Sequence, residues 1–234
     1  MDRDVAAFAM TLTGTYGHLV AAVVVFLVAH SLTNIRPLRE ASLARLGKGG
    51  FYGVYSVIST ALLVWVVAAA LAAPIIQVWE QAPWMRWAPS LVMPLACLLW
   101  VAGMTTPNPF SIGPGGARFE PGRPGILRLT RHPIIWGLGL WSGAHLIPNG
   151  TVAGLLLFLP LFLLCLVGGR VLDAKRQRQL GPERWRELAE GLAGPLAWTR
   201  LLAELGPWRI LAGLGLVPVL MALHPVVIGL SPYP

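Results

Sequence analysis

The chain has 234 residues, of which 56% are hydrophobic and only 12% are charged. Soluble globular domains carry about 25% charged residues, so this chain has too few to cover a water-exposed surface. With a mean hydropathy of +0.66, the composition excludes a soluble enzyme, a disordered chain and a coiled coil, and it indicates a membrane protein. The net charge of +8 does not indicate a nucleic-acid partner, because the basic residues follow the pattern of membrane loops.

Six apolar segments follow one another along the chain, each close to the roughly 20 residues that span a bilayer. Lipid offers the backbone no hydrogen-bond partner, so all six are predicted to be helices. The fourth is most apolar over 133–147 and reaches back through 126–129 to gain length. We therefore predict an all-α polytopic membrane bundle with about six transmembrane helices, in a single domain over 1–234. The predicted spans are 10–32, 52–73, 87–104, 127–147, 152–169 and 208–228.

The basic residues alternate between the two sides of these spans. Most of the 18 Lys and Arg residues lie in the loops 33–51, 105–132 and 170–207, and the opposite side carries only Arg3 and Arg86. Cytoplasmic loops of membrane proteins are enriched in Lys and Arg. The three loops are therefore predicted to be cytoplasmic and both termini periplasmic, in a multi-pass protein of the bacterial inner membrane.

Two segments of the basic loops have distinctive compositions. Segment 113–125 is rich in Gly and Pro, and it is predicted to be a plain turn rather than a phosphate cradle, because no helix-opening Lys-Ser/Thr follows it. Segment 172–190 is charged and contains helix-forming residues. It is predicted to form an amphipathic extension at the cytoplasmic lipid surface.

Histidines are the side chains in the spans best suited to chemistry, because an ionisable residue inside a membrane helix is costly and indicates a functional site. Asp and Glu are nearly absent from the spans, so neither a carboxylate-bridged metal centre nor a Ser-His-Asp arrangement is expected in the lipid-facing core. Imidazole in an apolar pocket suits haem iron or a neutral base. The five histidines are His18, His30, His132, His145 and His224.

Spacing limits which histidines can share one metal. His132 and His145 are separated by about 20 Å along one helix, so they cannot bind the same iron. By topology His30 and His132 lie near the cytoplasmic ends of their spans, and His18 and His145 lie nearer the outer ends. Spacing therefore leaves two axial pairs open, His30 with His132 and His18 with His145.

Arg131-His132-Pro133 opens the fourth helix, with proline at a first-turn position that needs no N–H donor. Arg131 beside a helix N-terminus can hold an anion such as a carboxylate or a propionate. Arg131 and His132 are therefore the catalytic candidates. The alternative interpretation is a positive-inside anchor followed by a helix N-cap.

Several short motifs resemble the NnrU family of membrane proteins, and the likeness extends from about Val28 to Pro225. They include Val28-Ala29-His30-Ser31, Arg36-Pro37-Leu38-Arg39, Asn108-Pro109-Phe110-Ser111, the run from Gly125 to Pro133, and Ala144-His145-Leu146.

The family is linked to nitrite and nitric oxide reduction in denitrification, and its plant and cyanobacterial relatives are 15-cis-ζ-carotene isomerases that bind haem b. The resemblance implies haem b with His30 and His145 as metal ligands, and it adds Arg36 and Arg39 as cofactor-binding candidates. Its implied partners are nitrogen-oxide reductase components or an apolar lipid substrate in the bilayer. Ser142 stands where the isomerases have a cysteine, so a thiolate ligand is not available there.

A more distant likeness connects Arg131-His132-Pro133 and Asp173 with isoprenylcysteine and phospholipid methyltransferases, in which the Arg-His-Pro motif and a later acidic pair help to hold S-adenosylmethionine. Here the acidic pair is reduced to Leu172-Asp173. Three interpretations therefore stand beside one another: a haem-binding protein of nitrogen-oxide respiration, an isomerase or methyltransferase acting on an apolar lipid, and a non-catalytic assembly factor. In the last, the histidines only form hydrogen bonds between helices.

Overall fold

The computed structural model describes residues 13–32, 35–192 and 195–234, and 74% of these residues are helical. The start of the first predicted span, residues 10–12, lies outside them. Short 3-10 turns at Pro83–Arg86 and Gly125–Arg128 precede two of the longer helices. The α-helices are α1 (Tyr16–Leu32), α2 (Arg36–Ala72), α3 (Trp87–Thr105), α4 (Pro133–Leu146), α5 (Val152–Leu180), α6 (Pro182–Glu190), α7 (Trp198–Leu205) and α8 (Pro207–Val227).

The chain divides into two compact units, and the first contains the residues up to Glu80 together with Asn149–Pro160. Within it α1 packs against α2. Helix α2 bends at Gly47, whose φ of +65° is a left-handed conformation that glycine adopts without a steric penalty. After α2 the backbone N–H of Val78 donates to the carbonyl of Gly150, at 2.8 Å.

The second unit contains Gln81–Pro148 and Leu161–Pro234. Helix α3 lies at its centre, and α4 and α8 both pack against it. Glycines allow these close approaches: a Cβ on Gly137 of α4 would lie 2.9 Å from the carbonyl oxygen of Ala96. Small residues at helix contacts are typical of membrane bundles, because they let backbones approach each other closely.

Four helices of the described residues are long and apolar enough to cross a membrane: Gly49–Ala72, Pro83–Thr105, Val152–Leu180 and Pro207–Val227. A fifth results if Tyr16–Leu32 and Arg36–Gly47 together form one bent span. Their surfaces are apolar, since Leu211 and Val226 are 70% and 81% exposed. A helical membrane bundle is confirmed. Among the described residues, four or five helices rather than six are long and apolar enough to cross a membrane.

The fourth predicted span accounts for part of this difference. Helix α4 has 14 residues, about 21 Å at 1.5 Å per residue, which is shorter than the hydrocarbon core. The prediction that it reaches back through 126–129 is wrong. The residue before a proline is disfavoured in a helix, so α4 begins at Pro133, and Ile126 and Leu127 are buried in protein, at 1% and 2% exposure.

A hydrophobic cluster, here called the basic-side core, joins the loop residues to the ends of the long helices. Segment 172–190 takes part in it rather than forming one extension on lipid. Helix α5 continues to Leu180, the chain turns at Gly181, and α6 directs Leu188 into the cluster. The amphipathic faces of α6 and α7 are therefore covered by protein. The buried members are Leu99, Ala102, Phe110, Ile126, Leu127, Leu188, Leu201 and Leu205.

Candidate functional site

His132 lies just before α4 in the second unit, and both of its ring nitrogens have partners. Its Nε2 is 3.0 Å from Oδ1 of Asp173 on α5, and its Nδ1 is 2.9 Å from the hydroxyl of Ser111. A carboxylate only accepts hydrogen bonds, so Nε2 carries the proton, and in the neutral ring Nδ1 accepts from the Ser111 hydroxyl. His132 is the N-cap residue of α4, as the alternative interpretation predicts, but its side chain makes no cap bond to the helix.

Arg131 binds the same carboxylate. Its Nη2 donates to Oδ2 of Asp173 at 2.6 Å, and its Nε donates to Oδ1 at 3.3 Å. Arg131 was expected to hold an anion at this helix start. In the structure that anion is the carboxylate of Asp173, a residue of the same chain. We call Ser111, Arg131, His132 and Asp173 the polar cluster.

The Asn-Pro-Phe-Ser motif forms the loop that brings Ser111 to His132. Oδ1 of Asn108 accepts hydrogen bonds from the backbone N–H groups of Phe110 and Ser111, and Nδ2 of Asn108 donates to the carbonyl of Arg131. Asn108 is only 1% exposed. One buried amide therefore fixes both the turn and its position against the Arg-His-Pro segment, which gives the motif a structural explanation.

Two residues beyond α4 complete the surroundings of the polar cluster. Arg176 on α5 donates from Nη2 to the carbonyl of Ser111, at 3.2 Å. The guanidinium of Arg131 lies 5.8 Å from the ring centre of Trp185 on α6. Neither residue was singled out from the sequence, because each is distant along the chain from its partner.

The connection from Ser111 through His132 to Asp173 is a Ser-His-Asp arrangement, which was not expected in the apolar core and lies here beside the basic loops. A serine nucleophile must reach its substrate, and Ser111 is only 1% exposed. The arrangement instead holds together the 108–111 loop, the start of α4 and α5.

A second ion-pair cluster surrounds Glu204 on α7. Its carboxylate accepts hydrogen bonds from Arg128, from Arg200 and from the backbone N–H of Gly125, and its side chain is only 7% exposed. Burial alone raises the pKa of Glu204, but the hydrogen bonds from Arg128, Arg200 and Gly125 outweigh it and lower the pKa below its ordinary value. The carboxylate is therefore ionised and fully engaged at neutral pH.

The two predicted metal ligands, His30 and His145, share one local geometry. His30 Nδ1 lies 2.9 Å from the carbonyl of Phe26, and His145 Nδ1 lies 2.7 Å from the carbonyl of Trp141, each four residues earlier in its own helix. Since a carbonyl only accepts, Nδ1 carries the proton in both rings and the lone pair is on Nε2. Metal-ligating histidines commonly hold their second nitrogen in this way.

The remaining histidines differ. Nε2 of His18 accepts a hydrogen bond from the indole N–H of Trp65 at 2.9 Å, so its lone pair there is in use. His224 donates from Nδ1 to the carbonyl of Leu230 at 2.7 Å, and it shares the tautomer of His30 and His145. Its tautomer adds His224 as a ligand candidate that spacing did not single out.

The cofactor-binding candidates Arg36 and Arg39 lie at the start of α2. Arg36 forms an i,i+4 ion pair with Glu40 at 2.8 Å, and the two side chains are 87% and 61% exposed. That pair is a solvated surface contact of small energetic value. No group of three or more His, Cys, Asp and Glu side chains in the described ranges could together hold a metal ion.

The comparisons with known proteins give one match. The family model described as "NnrU protein" matches residues 18–232, nearly the whole chain. No curated protein and no solved structure matches the chain. The matched range includes both predicted metal ligands and every residue of the polar cluster, and the chain therefore belongs to the NnrU family.

Proposed function

We propose that this NnrU-family membrane protein binds haem b through His30 and His145 and supports nitrite and nitric oxide reduction in denitrification. We place it in the bacterial inner membrane with its basic loops in the cytoplasm and both termini in the periplasm. Reductase components are its proposed partners. The observation that carries the haem proposal is the shared tautomer of the two rings, which puts the lone pair of each on Nε2.

The ring partners also favour this ligand pair over the two that spacing left open. His132 uses both nitrogens, on Ser111 and Asp173, so iron would have to displace an internal hydrogen bond. His18 uses the lone pair of Nε2 on Trp65. His30 and His145 each hold Nδ1 on a carbonyl of their own helix, which puts the lone pair on Nε2, in agreement with the pair that the resemblance implies.

Aromatic side chains beside both rings fit a flat, apolar macrocycle. The ring of His30 lies 4.1 Å from that of Phe26 and 5.7 Å from that of Tyr55, measured between ring centres. The ring of Trp141 lies 5.8 Å from that of His145. Large apolar rings bury porphyrin surface favourably, and the Nδ1 hydrogen bonds fix the direction in which each imidazole presents Nε2.

When bound, haem would supply one-electron chemistry at its iron. The chain's own part is to orient two imidazoles and to exclude water from them with apolar helices. Absorption spectroscopy of detergent-purified protein tests the proposal after expression with ample haem. We expect a Soret band that is lost in His30→Ala; a wild-type protein that purifies without haem would contradict the proposal.

A lipid-modifying enzyme is the second candidate, because the residues of the methyltransferase likeness do meet: Arg131 and His132 both bind Asp173. In this reading Arg131 and His132 are the catalytic residues. Both oxygens of Asp173 already accept hydrogen bonds, so a bound S-adenosylmethionine would have to replace Arg131 there. Calorimetric titration with S-adenosylmethionine tests this alternative: micromolar binding that Asp173→Asn abolishes would favour it over the haem protein, and no binding would exclude it.

A further inference from the structure

A cavity of about 230 Å³ opens on the basic side of the second unit, apart from the polar cluster. It lies where the Gly/Pro-rich segment 113–125 meets the end of α3 and α7. Its wall includes two arginines, two glutamates, an aromatic ring and a threonine. These residues are Arg118, Arg123, Glu120, Glu204, Phe119 and Thr106.

The loop that forms this cavity is anchored at several points. The ring of Phe119 packs against the fully buried Phe110, with ring centres 5.8 Å apart. Arg200 donates from Nη2 to the carbonyl of Gly122 at 2.7 Å. Backbone turns also close the loop, as in the hydrogen bond from the Arg123 N–H to the Glu120 carbonyl at 3.0 Å. The cavity is therefore preformed, which lowers the entropic cost of binding a ligand.

The two arginines of the cavity wall form no ion pair with a carboxylate of the described residues. Arg118 and Arg123 make no side-chain hydrogen bond or ion pair within the described part of the chain. Glu204 does not neutralise them, because Arg128 and Arg200 already occupy its carboxylate. Glu120 is exposed and solvated. The wall therefore contains two arginines without an ion-pair partner among the described residues, and the solvated Glu120 is the acidic residue beside them.

We propose that this cavity binds a phosphate group, held by Arg118 and Arg123. Guanidinium groups bind phosphate oxygens through paired, charge-assisted hydrogen bonds, and two of them suit a dianion. The cavity is smaller than a typical drug-sized pocket, so the ligand is a phosphate with at most a small organic group. The proposal is independent of haem, since it uses none of the histidines.

Two sources could supply the phosphate: a soluble phosphate compound, or the headgroup of an anionic lipid drawn to the basic side. Detergent-purified full-length protein is titrated with inorganic pyrophosphate, and protein in nanodiscs of phosphatidylcholine is compared with nanodiscs containing phosphatidic acid. The test variant is Arg118→Gln/Arg123→Gln. The control is Arg178→Gln/Arg186→Gln, which removes the same charge from exposed arginines outside the cavity.

We expect the test variant to lose binding at least tenfold while the control stays within twofold of wild type. Loss in the pyrophosphate titration assigns a soluble ligand, and loss only in phosphatidic acid nanodiscs assigns a lipid headgroup; either supports the site. Glu120→Gln is expected to bind two- to fivefold more tightly, because it removes the opposing charge. Equal loss in test and control variants, or no binding in both arms by folded wild-type protein, would overturn the proposal.

Discussion

The two ends of helix α4 use histidine in opposite ways. At its beginning, His132 has both ring nitrogens engaged, one by the Ser111 hydroxyl and one by the Asp173 carboxylate. In its last turn, His145 donates from Nδ1 to the carbonyl of Trp141 in the same helix. The first imidazole connects three separate segments of the chain, and Nδ1 of the second is held by a carbonyl of its own helix.

In the proposed function, the partner of each ring nitrogen, rather than depth in the membrane, separates a structural histidine from a candidate ligand. Spacing along α4 excluded His132 and His145 from a shared iron, but it did not indicate which of them is the better candidate for a metal ligand. The predictions below test the contrast, first at the two histidines and then at the contacts that hold α4 and its neighbours in place.

The largest expected effect is on haem content. His145→Ala is expected to purify with no Soret band, because it removes one of the two proposed haem ligands. His132→Asn is expected to retain haem at the wild-type ratio, because His132 is engaged within the protein. The measurement is the haem-to-protein ratio after size-exclusion chromatography, with thermal unfolding as a check on folding. Retained haem in His145→Ala together with loss of haem in His132→Asn would contradict the proposal, because it would make His132 rather than His145 the histidine that haem binding needs.

Glu204 is expected to give the largest loss of stability. Glu204→Gln leaves the guanidinium of Arg128, whose side chain is 11% exposed, without its anion, at a cost of about 3 kcal/mol at pH 7. Because the folded-state pKa of Glu204 is lowered, its contribution is complete above the ordinary carboxyl pKa of 4.5 and is lost as the pH falls through the folded-state pKa.

Thermal unfolding in detergent measures the contribution of the Glu204 carboxylate to stability, as a difference in Tm between wild type and Glu204→Gln. The difference should be the same at pH 7 and pH 5.5 and should shrink below pH 4.5. A difference that grows as the pH falls would show that the ionised carboxylate does not stabilise the fold.

The contact of α4 with α3 is tested at Gly137. A Cβ there would lie 2.9 Å from the carbonyl oxygen of Ala96, so Gly137→Ala must shift one helix, at a cost of about 2 kcal/mol. Gly215→Ala in α8 is the matched control, since no atom lies within 4 Å of its added Cβ. The control should be neutral or slightly stabilised, because alanine favours helix. Equal unfolding temperatures for the two variants would show that α4 is not held by this approach.

The smallest effect is expected in the polar cluster. Asp173→Asn weakens the contacts to Arg131 and His132, but Arg131 is 42% exposed and can be hydrated, so we expect a loss of about 1.5 kcal/mol. The control is Glu187→Gln, whose ion pair with Arg184 is more than half exposed and should contribute almost nothing. A loss as large as that of Glu204→Gln would show that solvent does not reach Arg131.

Hydropathy predicted the long helices well, because burial in lipid needs a continuous apolar run. The predicted span 87–104 corresponds to Trp87–Thr105, and 208–228 corresponds to Pro207–Val227. Hydropathy failed at Ile126 and Leu127, because these apolar residues were assigned to a membrane span but pack into the basic-side core. Hydropathy cannot distinguish a lipid-facing leucine from one buried in protein.

The candidate site was less accessible from the sequence. Contacts within one helix turn, such as His145 with Trp141, follow from helix geometry once the helix is known. Contacts across the chain do not: His132 and Asp173 are 41 residues apart, and Trp65 and His18 are 47 residues apart. The scarcity of acids was the available signal: the chain has only ten Asp and Glu residues, and two of them, Asp173 and Glu204, bind arginines in the structure.

The most direct measurement is the electron paramagnetic resonance spectrum of oxidised, detergent-purified protein. Two imidazoles on one ferric haem give a low-spin, six-coordinate signal, and this account predicts that signal in the wild type and its loss in both His30→Ala and His145→Ala. A low-spin signal that persists unchanged in either variant, or protein without any iron signal, would contradict the ligand pair on which the proposed function rests.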